Sequence, residues 1–203
     1  MQGNMDCELI AKHADFRPLS SIPGLAVDLR YADHRNFVGR DLYGVLDCAW
    51  LHREAALGLH AVVAHLRGHH PGLILVVLDA LRPHRVQVRL WEHLAGSELR
   101  QYLADPVRGS IHSFGMAVDV TLLDRRGVEL DMGTAFDDLS ELSQPKFESK
   151  HLALGSLTDV QIANRVLLQR AMRAGGFHGI SSEWWHFDCG DRERVRRHFQ
   201  RVD

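Results

Sequence analysis

The chain has 203 residues, 45% hydrophobic and 25% charged, enough for one domain with a substantial core and ordinary for a soluble globular protein. Its formal net charge of −2 supplies no electrostatic drive toward nucleic acid or an anionic membrane. No apolar run approaches the roughly 18 residues that cross a bilayer.

The chain start has no basic stretch followed by an apolar one, so a secretory signal is not expected. Cys7, Cys48 and Cys189 show no CxxC spacing and read as free thiols, which favours the cytoplasm. Fourteen histidines make any lone histidine uninformative; His34, His69, His70 and His198 sit among polar neighbours and read as solvated.

In chain order, residues 24–31 read as a strand. Residues 50–66 read as a helix rich in Ala, Leu and His, and 73–78 as a short buried strand of continuous apolar residues. Pro83 can open a helix whose amphipathic pattern covers 86–103. Residues 118–123 form a strand, turning through 124–127 with Gly127 available for a positive φ, to a hairpin partner at 128–132. Residues 133–157 read as a long functional or mobile loop. Thr158 caps a helix whose apolar positions are Ala163, Val166, Leu167, Ala171 and Ala174, and Gly175-Gly176 stops it. Residues 183–189 read as a strand and 191–202 as a charged, solvated helix. The expectation is one α+β domain over 1–203, a central antiparallel sheet flanked by helices.

Two stretches carry chemistry. SIHSFGMAVD (110–119) holds His112 and Asp119; EWWH (183–186) holds Glu183 and His186. Two imidazoles and a carboxylate can hold zinc, and a catalytic zinc also needs an open position for water and a nearby base. Asp119, between Val118 and Val120, projects to the face opposite those valines. Taken alone it reads as a solvent-facing strand carboxylate, and His112 alone as a loop residue. Gly115 and Ala117 remove side-chain bulk, so that the chain can fold back and bring the two together.

Glu183 and His186, three apart on a regular strand, would face opposite ways. They share one site only if the strand starts late or bulges; His186 is then a ligand and Glu183 an outer-sphere base. Trp184 and Trp185 read as packing residues. Arg82 follows the buried strand, where a guanidinium can stabilise a developing oxyanion or simply pair with Asp79 at the surface.

The blocks SxHxxGxAxD (110–119) and ExWH (183–186) resemble the zinc D-alanyl-D-alanine peptidase superfamily. DLRY (28–31), NFVG (36–39), DALRP (79–83), DMGTAFD (131–137) and EWWHF (183–187) narrow the likeness to VanX-type D-Ala-D-Ala dipeptidases, across most of the chain. The resemblance implies that His112, Asp119 and His186 bind one zinc ion, that Glu183 is the catalytic base and that Arg82 stabilises the transition state. It places Ser110 and Tyr31 near the substrate. Leu81 stands where the family has Tyr, and Phe114 and Met116 are bulky; these three are expected to reshape the pocket.

The expected activity is zinc-dependent hydrolysis of D-alanyl-D-alanine to two D-alanines. The partner is then a small dipeptide, with no nucleic acid, membrane or obligatory protein partner. A murein carboxypeptidase or endopeptidase of the same superfamily is the nearest alternative. A zinc-stabilised binding module, as in the hedgehog domain that resembles this superfamily, is the rival from another class. Antibiotic resistance, cell-wall turnover and D-alanine salvage all use this chemistry, and nothing in the residues separates them.

Overall fold

A computed structural model describes residues 4–203. Its strands are β1 (Phe16–Pro18), β2 (Ala26–Val27), β3 (Trp50–His52), β4 (Ile74–Asp79), β5 (Ala117–Leu123), β6 (Phe177–Gly179) and β7 (His186–Cys189). Its helices are α1 (Arg53–His69), α2 (His84–His93), α3 (Glu148–Ala153), α4 (Asp159–Ala174) and α5 (Arg192–His198). Five strands form the main sheet in the order β2-β4-β5-β7-β6, while β1 and β3 pair separately. The α+β class is as expected. The sheet is antiparallel except at its edge, where β2 runs parallel to β4.

The sequence dictates much of this directly. Apart from Ile74 at its start, β4 is buried, and Val118, Val120 and Leu122 of β5 join the same core as Leu59, Val62 and Leu66 of α1. Thr158 and Gln161 form a reciprocal capping box at the start of α4, satisfying donors that a helix start leaves open. Helices α1 and α4 cross closely through glycine. A Cβ on Gly58 would stand 2.6 Å from the carbonyl oxygen of Gly175, and one on Gly175 only 2.3 Å from that of Gly58. Alanine at Gly58 would gain about 1 kcal/mol of helix propensity, but the backbone collision outweighs it.

Several expectations need correction. Only Ala26–Val27 of the 24–31 segment pairs with β4, after which the chain turns tightly through Arg30–Ala32 and buries Tyr31. Trp50–His52 is strand because it pairs with β1, so α1 begins and ends three residues later than its pattern suggests. The 86–103 helix breaks after His93; Gly96 takes φ 79° and a separate 3-10 turn covers Glu98–Tyr102. The hairpin after β5 reduces to one bridge, Leu123 with Glu129, although Gly127 does take φ 79°. The buried face of α4 is Arg165, Leu168, Ala171 and Met172; Ala163 and Ala174 are exposed. The C-terminal helix ends at His198, and Val202 is buried beside Met5.

The segment 133–157 is not an open loop. It contains turns at Glu141–Ser143 and Pro145–Phe147, followed by α3. Buried Arg165 fastens it, donating to the carbonyls of Met132 (2.7 Å) and Leu142 (3.0 Å) and to Glu148 (3.2 Å). A guanidinium can serve three acceptors in one plane, so one residue of α4 ties the start, the middle and α3 of this stretch together, alongside Trp184 to Thr134 and Tyr31 to Asp137. No helix among the described residues is long and apolar enough to cross a membrane.

Candidate active site and metal centre

A cavity of about 220 Å³ opens where two hydrophobic clusters meet; Tyr31 from one and Ile111 and Trp185 from the other stand in its wall. His112, Asp119 and His186 project into it, each from a different element, and all three are buried. A tight turn, Ile111–Phe114, carries His112 and ends at Gly115 with φ 63°. A Cβ at Gly115 would meet the backbone nitrogen of His52 at 2.7 Å, so this return of the chain requires glycine. Asp119 lies on β5 directly opposite His186 on β7. Strand β7 begins at His186, leaving Glu183 before the strand and free to face the same cavity; the late strand start resolves the geometric difficulty of that pair.

The donor atoms converge. Asp119 Oδ1 is 3.0 Å from His186 Nδ1 and 3.3 Å from His112 Nε2, and the two nitrogens are 3.1 Å apart. The remaining ring nitrogens are taken by acceptors: His112 Nδ1 lies 2.8 Å from the Ala80 carbonyl and His186 Nε2 lies 3.0 Å from Asp188 Oδ1. Each imidazole can therefore keep its other nitrogen, His112 Nε2 or His186 Nδ1, for a cation shared with the carboxylate. Within the described residues this is the one group of three His, Cys, Asp or Glu donors close enough to share an ion, all within 4.8 Å. Two nitrogens and one oxygen suit zinc, and the three-ligand count leaves a position open.

Electrostatics reinforce the arrangement. Burial works against the charge on Asp119, yet His112 and His186 hold it well below the usual carboxylate range. Burial likewise opposes a charged His186, but Asp188 and Asp119 raise it well above the usual imidazole value. His186 thus tends to hold a proton that a divalent cation can displace. Glu183 differs: burial pushes it up to about 7, and it enters no hydrogen bond or ion pair among the described residues. A carboxyl poised near neutrality suits proton transfer.

Arg82 does pair with Asp79, through Nε at 2.9 Å and Nη2 at 2.6 Å, but the pair is buried and not superficial. The β4–β5 register shifts between Val77 and Asp79; such irregularities re-aim side chains, and here Asp79 holds Arg82 against the cavity wall. Nη2 also lies 3.4 Å from Asp119, Nη1 bonds Gln87 at 3.1 Å, and the guanidinium sits 4.7 Å above the Tyr31 ring. One Nη1 hydrogen of the five remains uncommitted. Ser110 and Tyr31 both line the cavity.

Leu81, Phe114 and Met116 do not line it. Leu81 is packed in the cluster around Tyr43 and Val86, while Phe114 and Met116 belong to the main core. Their departures from the family pattern therefore do not shape the cavity wall. Trp184 and Trp185 are buried as expected, and Trp185 forms part of the wall.

Sequence reasoning missed Asp137, Asp188, Arg192 and Arg196, all of which line the cavity. Asp137 accepts a hydrogen bond from the Tyr31 hydroxyl (3.2 Å) and one from the Phe37 backbone (3.3 Å). It is the one non-glycine residue with positive φ (61°) among the described residues, a form of strain found at functional sites. Burial, and then the charge of Asp119, raises its pKa well above the ordinary value. The DMGTAFD block contained it without distinguishing it from Asp131. Asp188 had a local signal: two residues beyond His186 on one strand, it shares that residue's face.

By its chemistry this is a place where one metal ion could be held, at the sheet of an α+β fold. Comparison with known proteins gives the particular family. The Peptidase_M15 family, described as D-ala-D-ala dipeptidase, matches residues 12–203; the chain belongs to that family and is a peptidase. It is 40% identical over 168 residues to the D-alanyl-D-alanine dipeptidase of Escherichia coli (strain K12), covering 82% of this chain and 79% of the relative. The D-alanyl-D-alanine dipeptidase of Streptomyces coelicolor is 27% identical over 202 residues, covering 88% of this chain and 92% of that one. Among solved structures, the LdcB LD-carboxypeptidase aligns with a TM-score of 0.49 and 16% identity, covering 91% of this chain and 72% of its own.

Proposed function

We propose that this peptidase hydrolyses D-alanyl-D-alanine to two D-alanines, with one zinc ion held by His112 Nε2, His186 Nδ1 and Asp119. The observation that carries the reading is the convergence of those three donors in one cavity with Glu183. Zinc, when bound, polarises the scissile carbonyl and lowers the pKa of water toward neutrality. Glu183 accepts the proton of the attacking water at its carboxylate and delivers it to the leaving amine. Arg82, held rigid by Asp79, offers its uncommitted Nη1 hydrogen to the developing oxyanion, worth about 10²–10³ in rate.

The cavity itself argues for a short substrate. At about 220 Å³ it lies below the roughly 300–1,000 Å³ of sites for drug-sized ligands. Asp137 offers its carboxyl to the free amino group, whose positive charge would offset the burial that raises the Asp137 pKa, with the Tyr31 hydroxyl beside it; Arg192 and Arg196 supply cations for the carboxylate. In a longer murein peptide the nitrogen of the penultimate D-alanine is an amide, which brings no ammonium to satisfy Asp137. The three free thiols support the cytoplasm as the compartment.

The test is D-alanine release from D-Ala-D-Ala by zinc-loaded protein, paired with Glu183→Ala and with a murein pentapeptide as competing substrate. Rapid dipeptide cleavage that disappears in Glu183→Ala, while zinc stays bound, is the expected result. Preferential cleavage of the pentapeptide would transfer the activity to a carboxypeptidase. Zinc binding without hydrolysis of either would leave a binding module.

A further inference from the structure

Both ring nitrogens of His186 are committed. Nδ1 faces Asp119 and His112, whereas Nε2 lies 3.0 Å from Asp188 Oδ1. Asp188 is buried, and its other oxygen accepts a hydrogen bond from Arg192 Nε at 2.6 Å. A continuous chain, His186 to Asp188 to Arg192, therefore runs from the donor group to the first turn of α5. Strand β7 makes this possible, because residues 186 and 188 share a face. The residue opposite Asp188 on β5 is Ala117, whose methyl group occupies little of that face.

We propose that Asp188, gripped by Arg192, is a positioning residue that holds the Nε2 proton of His186 and so assigns Nδ1 to the metal. The inference rests on the reading of His112, Asp119 and His186 as the ligands. His112 has the mirror arrangement: its Nδ1 proton is held by the Ala80 carbonyl, so Nε2 is the ligand atom. The two partners are not equivalent. A carbonyl only orients its ring, whereas a carboxylate also makes the imidazole a stronger donor. Arg192 balances the charge of Asp188, which would otherwise be a costly unpaired buried anion.

Zinc affinity is measured by competition with a chromogenic chelator. Long-range ¹H–¹⁵N spectra of the zinc-loaded, histidine-labelled protein then assign which ring nitrogen binds metal. Wild type is expected to bind one zinc, with His186 coordinated through Nδ1 and protonated at Nε2, and His112 the reverse. Asp188→Asn keeps the shape but loses the charge, and should weaken zinc binding about 10–100-fold. Arg192→Gln, at a half-exposed side chain, should weaken it several-fold with unchanged circular dichroism, and gives a result even if Asp188 variants fold poorly. Coordination of His186 through Nε2, or unchanged affinity in both variants, overturns the proposal. A wild-type chain that binds no zinc through these histidines overturns the ligand reading itself, which is a distinguishable result.

Discussion

Asp119 and His186 are register partners across β5 and β7, with Asp119 Oδ1 3.0 Å from His186 Nδ1. Two of the three donors therefore come from paired backbone inside the five-stranded sheet, with a further strand on each side. The third, His112, comes from a turn whose path depends on one glycine. Sites built on sheet strands hold their geometry better than sites on loops, so the weak point of this centre is the turn.

Gly115→Ala tests that weak point. A non-glycine residue at φ 63° costs about 1 kcal/mol or more, and the new Cβ collides with backbone nitrogen of His52 at 2.7 Å. The sum should reach about 2–3 kcal/mol. In a chain of this length that corresponds to a fall in Tm of roughly 5–10 °C, with weaker zinc binding because His112 moves. A urea or thermal melt that leaves the variant within about 0.5 kcal/mol of wild type would show that the turn can relax.

How much of this was legible beforehand depended on the range of the interactions involved. Strand β4, the cap at Thr158 and the donor set His112, Asp119 and His186 follow from local pattern or from family blocks. Trp50–His52 became strand through pairing with Phe16–Pro18, more than thirty residues away, which no helical periodicity can register. Segment 133–157 is fastened in part by Arg165 on α4, a residue whose charge suggests the surface. Leu81 and Phe114 were misjudged because neighbourhood in sequence to Arg82 and His112 says nothing about which way a side chain packs. Asp137 was invisible as a site residue because its distinction lies in a positive φ and in burial beside Tyr31.

Metal removal gives a second prediction. Stripping with a chelator should abolish hydrolysis, and stoichiometric zinc should restore it. Binding only to the native state stabilises it by about 4 kcal/mol at a thousandfold excess over Kd, so calorimetry should show Tm rising by roughly 10 °C. Zinc that leaves Tm unchanged would mean that His112, Asp119 and His186 do not bind it in the folded chain.

Asp137 carries the specificity prediction. A hydrogen bond to a charged group contributes about 1.5–3 kcal/mol, so Asp137→Ala should raise KM for D-Ala-D-Ala by about 10–100-fold. N-acetyl-D-Ala-D-Ala, lacking the ammonium, should be a poor substrate for wild type and should lose little more in the variant. Equal losses on both substrates would show that Asp137 holds Tyr31 and not the amino group.

Glu183 yields a prediction with two signs. Burial pushes it up to about 7 from 4.5, His186 opposing the rise and Asp119 adding to it. Only the carboxylate accepts a proton, so kcat/KM should rise with pH through an acid limb at or below 7, a bound dication moving that limb lower. Stability of the metal-free protein should run the other way. A carboxyl with a raised folded pKa binds more protons in the native than in the unfolded state between 4.5 and about 7. Its contribution therefore weakens the fold as pH climbs through that window and stays constant above it, by at most about 3 kcal/mol. Glu183→Gln cannot ionise and escapes that loss. The metal-free variant should match wild type near pH 4.5 and exceed it by roughly 1–3 kcal/mol at pH 8, while releasing no D-alanine. Urea titrations of both proteins at the two pH values decide it: parallel pH dependence in wild type and variant would mean that Glu183 ionises as freely as an exposed carboxylate, and is then poorly placed to act as a base tuned to neutral pH.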